Sequence, residues 1–103
     1  MNLNGLWTLM VHQRPPLVIT IYDGVVTGGN ETYFYTGTVE CEGEKMTGNL
    51  VGQHYHGDKD TTLGGLGTIH LEVEATVGEE SMQGLAKVKG LAQQRNFTGQ
   101  KRA

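Results

Sequence analysis

Four side chains able to bind metal or move protons recur at every second position in one stretch, His54, His56, Asp58 and Asp60, and His70 follows further along the chain. In an extended strand, residues two apart share a face, so these groups would converge if one strand carried them all. Zinc needs three or four convergent ligands, and a catalytic site keeps one position open. Gly57, however, interrupts the phase before either aspartate, and Cys41, the single cysteine, supplies no thiolate pair. The expectation is therefore no metal and no cofactor, with His54, His56 and His70 as the set to examine for an exception.

A second constellation, Glu40, Glu42 and Glu44, alternates with Cys41 and Gly43. Glycosidase-type chemistry requires two carboxylates held across a cleft, whereas these occupy a turn with nothing in the sequence to bury them. They read as a solvated hairpin tip or as a surface for a basic partner. Cys41 could pair with a histidine as a nucleophile, but a lone cysteine in such a place is more commonly inert. The chain has no GxGxxG, no phosphate loop, no CxxC and no GxSxG. Tyr33 and Tyr35 could stack nucleobases, yet their strand carries no basic residue and the neighbouring tip is acidic. The residues point away from enzymatic chemistry and away from nucleic acid.

A chain of 103 residues with a formal charge of -3 fits a single domain over 1–103 with no general attraction to nucleic acid or anionic lipid. Lys87, Lys89, Arg95, Lys101 and Arg102 follow the last acidic residue, which suggests either a small basic face or ordinary solvated strand faces. The lone cysteine suits a reducing compartment. Neither an export signal nor a run of ~18 apolar residues occurs, so the expected location is the cytoplasm, with no membrane partner.

The elements that must position these residues are strands. Tyr33, Tyr35, Gly37 and Val39 alternate with Phe34, Thr36, Thr38 and Glu40, and Met46, Gly48, Leu50 and Gly52 alternate with Thr47, Asn49, Val51 and Gln53. That period of two defines a long hairpin from Thr32 to His56. Before it, strands are expected from Asn4 or Gly5 to Val11, from Leu17 to Tyr22 and from Val25 to Thr27, with Asp23-Gly24 as a tight turn. Pro15 and Pro16 separate the first two. After it come Gly67 to Val77, a strand through Met82 to Val88, and Ala92 to Lys101. Four of the strands repeat one device, a large apolar residue two positions before a glycine: Tyr35 and Gly37, Met46 and Gly48, Met82 and Gly84, Phe97 and Gly99. Inward glycines suit the sharp curvature of a small barrel. An all-β, eight-stranded antiparallel up-and-down barrel is expected, with a two-sheet sandwich as the alternative. In that barrel Tyr33, Tyr35, Leu50, His54, His56, Ile69, Leu71, Met82, Val88 and Phe97 would surround the interior.

Gly5-Leu6-Trp7 resembles the Gly-x-Trp start of lipocalin-like and avidin-like barrels, in which the tryptophan closes one end and a basic residue from the last strand crosses it. The resemblance implies barrel closure by Trp7 with Lys101 or Arg102. A narrower resemblance runs through Asn4-Gly5-Leu6-Trp7, Gly24-Val25-Val26, Gly28-Gly29, the aromatic run Tyr33 to Tyr35 with Thr36-Gly37-Thr38, Gly48, His54 to His56, and the strand around His70 and Leu71. In these features the chain is similar to the GrlR family, negative regulators of type III secretion. That resemblance implies a lipocalin-like, calycin-like barrel, commonly a homodimer, acting by binding a transcriptional activator. The family's acidic Glu-Asp-Glu-Asp motif falls on Glu40, Glu42 and Glu44, with Cys41 and Gly43 between them and Lys45 after.

Two main functions therefore stand open from the sequence, with a metal-dependent enzyme using His54, His56 and His70 as a weaker third. One is a non-enzymatic regulatory protein that binds a protein partner through the acidic tip and dimerises through the doubly apolar first strand. The other is a barrel that holds a small apolar ligand, since eight strands can enclose either side chains or one small molecule.

Overall fold

The structure, a computed structural model, describes residues 3–12, 14–59, 65–91 and 93–103. It is built of β1 (Gly5–Val11), β2 (Leu17–Tyr22), β3 (Val25–Gly29), β4 (Tyr33–Glu42), β5 (Lys45–His54), β6 (Thr68–Val77), β7 (Ser81–Val88) and β8 (Gln93–Lys101). Every consecutive pair is antiparallel, and β8 returns to β1 to close the barrel. The register of that closing ladder runs from Trp7 opposite Lys101 to Val11 opposite Phe97. Closure removes the free edges that a sandwich would leave, so the sandwich alternative falls.

Turn chemistry sets the register between strands. Asp23 and Gly24 take φ of 49° and 80°, the positive pair a two-residue hairpin of the favoured hand requires. The Asn4 side chain ties the chain start to this turn, its Oδ1 accepting from the Asp23 backbone N–H at 2.9 Å. At the β3–β4 connection the Asn30 Oδ1 accepts from the backbone N–H groups of Thr32 and Tyr33 and from the Thr32 hydroxyl, each at 2.9 Å.

β4, β6 and β8 begin at Tyr33, Thr68 and Gln93, one residue inside the expected Thr32, Gly67 and Ala92, of which Ala92 lies outside the described residues; the ends of β3 and β5 differ more. β3 continues past Thr27 through Gly28 and Gly29, because a Cβ at Gly28 would lie 2.2 Å from the Val18 carbonyl oxygen and only glycine lets β2 approach that closely. β5 ends at His54, two residues before His56: the Tyr55 N–H makes one last bond in register, to the Thr32 carbonyl at 2.9 Å, but β4 begins only at Tyr33 and offers His56 no partner strand.

The alternation delivers Trp7, Ile21, Val26, Tyr33, Ile69 and Val77 to nearly complete burial inside the barrel. Inward glycines face large inward residues across the ladders: Gly52 opposes Tyr35 and Gly99 opposes Met82. A strand can thus bend over its neighbour's side chain. The core forms two clusters, one around Trp7, Ile21, Met46 and Phe97, the other around Tyr33, Tyr35, Ile69 and Val88. Leu17 and Leu71 pack against both.

Candidate functional site: the acidic turn and the barrel interior

Glu40, Glu42 and Glu44 are exposed at and beside the β4–β5 turn, which Gly43 makes with φ of 61°. The even-numbered strand positions Glu40 and Glu42 point outward while Cys41 points toward the core, its thiol donating to the Gly43 carbonyl at 3.3 Å. Register then joins these carboxylates to others far along the chain. Glu40 lies opposite Thr47, Thr47 opposite Glu74, and one step down Asn49 lies opposite Glu72. Glu40, Glu72 and Glu74 line one shallow groove with Thr38, Asn49 and Lys87. The acidic tip is therefore the end of a wider acidic outer face with Lys45 and Lys87 at its margins, opposite Glu42 and Glu72. The outward positions of Glu72 and Glu74 were legible from alternation; their alignment with Glu40 was not, because it depends on the β5–β6 register.

At the end of the barrel where β1 begins, Trp7 is fully buried and its indole N–H donates to the Leu3 carbonyl at 2.8 Å. Lys101 shares the inner face with Trp7 as its register partner. Arg102 takes the other face: its Nε–H donates to the hydroxyl of outward-facing Thr8 at 2.9 Å. Of the two basic residues expected to cross Trp7, the alternation of β8 places only Lys101 on that side.

Around the interior, Tyr35, Leu50, Ile69, Leu71, Met82, Val88 and Phe97 line a cavity of about 80 Å³. Tyr33, expected with them, is fully buried but works as structure: its hydroxyl donates to the Leu66 carbonyl at 2.7 Å, and its ring lies between Tyr35 and His54, at centroid distances of 6.5 and 5.4 Å. His54 donates through Nε2–H to the Gly57 carbonyl at 2.6 Å. His56 lies past the strand end, exposed, beside Tyr55. His70 is exposed on the outer face of β6, between inward Ile69 and Leu71. The histidines thus diverge, and neither His54 nor His56 lines the cavity. No group of three or more His, Cys, Asp or Glu able to hold a metal occurs among the described residues; Asp60 lies outside them.

Two arginines complete the cavity lining, and the sequence reading missed both roles. Arg95, grouped there with a basic tail, stands on the inner face of β8 with Phe97 and Gly99. Arg14 and Pro15, in the connection from β1 to β2, also line the cavity. The basic tail forms no single face, because Lys87 and Lys89 are exposed, Arg95 and Lys101 turn inward, and Arg102 lies outside against Thr8. An odd-position count from Phe97 back to Arg95 would have revealed the inward arginine.

No family model, curated protein or solved structure matches the chain. No helix among the described residues is long and apolar enough to cross a membrane.

Proposed function

We propose that this chain is a non-enzymatic regulatory protein of the cytoplasm that acts by binding another protein through the acidic outer face around the β4–β5 turn. One observation carries the reading: Glu40, Glu42 and Glu44 at the tip continue into Glu72 and Glu74 on the neighbouring strand, all of them exposed. Five carboxylates on one convex face favour a basic partner surface and speed its approach, an effect that weakens with salt. Exposed ion pairs contribute little affinity individually, so apolar contact beside them must supply most of it. The resemblance to the GrlR family adds the finer reading that the partner is a transcriptional activator and the regulated process type III secretion.

Homodimerisation belongs to the same proposal. The outer faces of β1 to β3 carry Leu6, Thr8, Met10, Val18, Thr20, Tyr22, Val25 and Thr27, without a single charge, and Met10, Val18, Tyr22 and Val25 are exposed. This surface meets the acidic one at the β3–β4 ladder, where Val25 lies opposite Thr38, so a dimer formed there sets the two acidic faces beside the contact.

The test is capture of a stoichiometric partner by the tagged protein in its native cell, followed by affinity measurement with the purified partner. Replacing Glu40, Glu42 and Glu44 together by lysine should weaken binding at least tenfold at low salt and flatten its salt dependence. Unchanged affinity and salt slope would remove the acidic turn from the proposal.

A further inference from the structure

The cavity inside the barrel has an uneven chemistry. Its walls are aliphatic and aromatic, while its charged lining among the described residues consists of two cations, Arg14 and Arg95, with no carboxylate. Both belong to the end of the barrel away from Trp7. Arg95 lies two positions outward from Phe97 along β8, and Arg14 follows the last residues of β1. The Arg95 Nε is buried and has no hydrogen-bond partner. A guanidinium so placed has given up hydration on that nitrogen without a compensating acceptor, an arrangement that costs free energy until an anion or acceptor arrives. Arginine also presents a planar fork matched to a carboxylate.

We propose that the interior is a binding site for a small amphipathic anion, its carboxylate held by Arg95 and Arg14 and its apolar chain directed toward Leu50, Met82 and Phe97. At about 80 Å³ the cavity is several times the ~10–15 Å³ that holds one water and smaller than the ~150 Å³ of an engineered cavity that accepts benzene. That size admits a short chain and no long acyl tail, and a six-carbon occupant requires the lining side chains to give way. Met46 and Met82 both line the space, and their flexible thioether chains can adjust to such an occupant. The site is separate from the acidic outer face and does not depend on it.

Calorimetric titration of the full chain with hexanoate, hexan-1-ol and hexylammonium tests the head group and the chain separately. Hexanoate should bind one to one and at least tenfold more tightly than hexanol, with hexylammonium excluded. Arg95→Gln should lower hexanoate affinity about tenfold and leave hexanol unchanged, while Ala86→Leu, which fills the cavity, should abolish both. Equal binding of hexanoate and hexanol to the unaltered protein would overturn the anion assignment, and no binding by any of the three would overturn the site. The variant with lysine at positions 40, 42 and 44 should bind hexanoate normally, so failure here is distinct from failure of the partner-binding proposal.

Discussion

Gly84 and Gly99 occupy the same place in the repeated motif, each inward and each two residues after a large apolar side chain, yet the barrel makes different demands on them. A Cβ at Gly84 would stand 2.0 Å from the Glu74 carbonyl oxygen and 2.7 Å from the Ala75 Cα, both backbone atoms of the paired strand β6. Relief there requires β6 and β7 to move apart. At Gly99 the near atoms are side-chain and not backbone atoms, Met82 Cγ at 2.7 Å and the Leu9 methyl Cδ2 at 2.8 Å, and both side chains line the interior cavity into which they can shift. Overpacking generally costs ~1–3 kcal/mol, and replacing glycine by alanine offsets about 0.4–1 kcal/mol through the unfolded chain where the backbone tolerates it. Gly99→Ala should therefore destabilise by no more than about 1 kcal/mol, and Gly84→Ala by about 3 kcal/mol or more. The gap of about 2 kcal/mol corresponds to a Tm difference of roughly 8–16 °C for a domain of this size. Urea denaturation followed by far-ultraviolet circular dichroism reads both variants, with m-values near that of the parent. Equal costs, or the reverse order, would refute the claim that backbone closure over Gly84 curves the β6–β7 pair.

Other consequences are as direct. Trp7→Phe removes the donor to the Leu3 carbonyl and part of the fully buried ring; a loss of about 2–4 kcal/mol is expected from the unpaired acceptor and lost volume, and a melting curve within a degree of the parent would contradict it. Asn30→Ala deletes an oxygen that accepts three hydrogen bonds at the β3–β4 turn and should cost about 1–3 kcal/mol, whereas Asn30→Asp, which keeps an acceptor, should retain most of the stability. If β1 to β3 form the dimer face, Tyr22→Lys should shift sedimentation from dimer toward monomer while leaving the circular dichroism spectrum intact; a parent protein that sediments as a monomer at high concentration would remove that face from the proposal.

Strand order, inward faces and most strand boundaries follow from local information. Period-two alternation sorts Ile69, Leu71 and Val73 from His70 and Glu72 without any knowledge of the partner strand, and Asp23-Gly24 specifies its own turn. The repeated glycine motif pointed to curvature, because an inward position without a side chain has a use in a bent sheet and little use in a flat one. Where the reading went astray, the deciding contacts were distant in sequence. His54 and His56 looked like one face until the start of β4 at Tyr33 left β5 without a partner beyond His54. Arg95 looked like part of a solvated basic tail until closure of β8 on β1 fixed which side of it was inside.

The apolar periodicity thus dictated that the chain would wrap a core, because hydrophobic side chains at alternate positions have one way to leave water together. Only the three-dimensional pairing decided what that wrapping enclosed and displayed. Register aligned Glu40 with Glu74 across β5, while barrel closure turned Arg95, and the β1–β2 connection brought Arg14, to an apolar cavity. Neither arrangement is a property of a segment; each exists only once strands remote in sequence hold one another at a fixed offset.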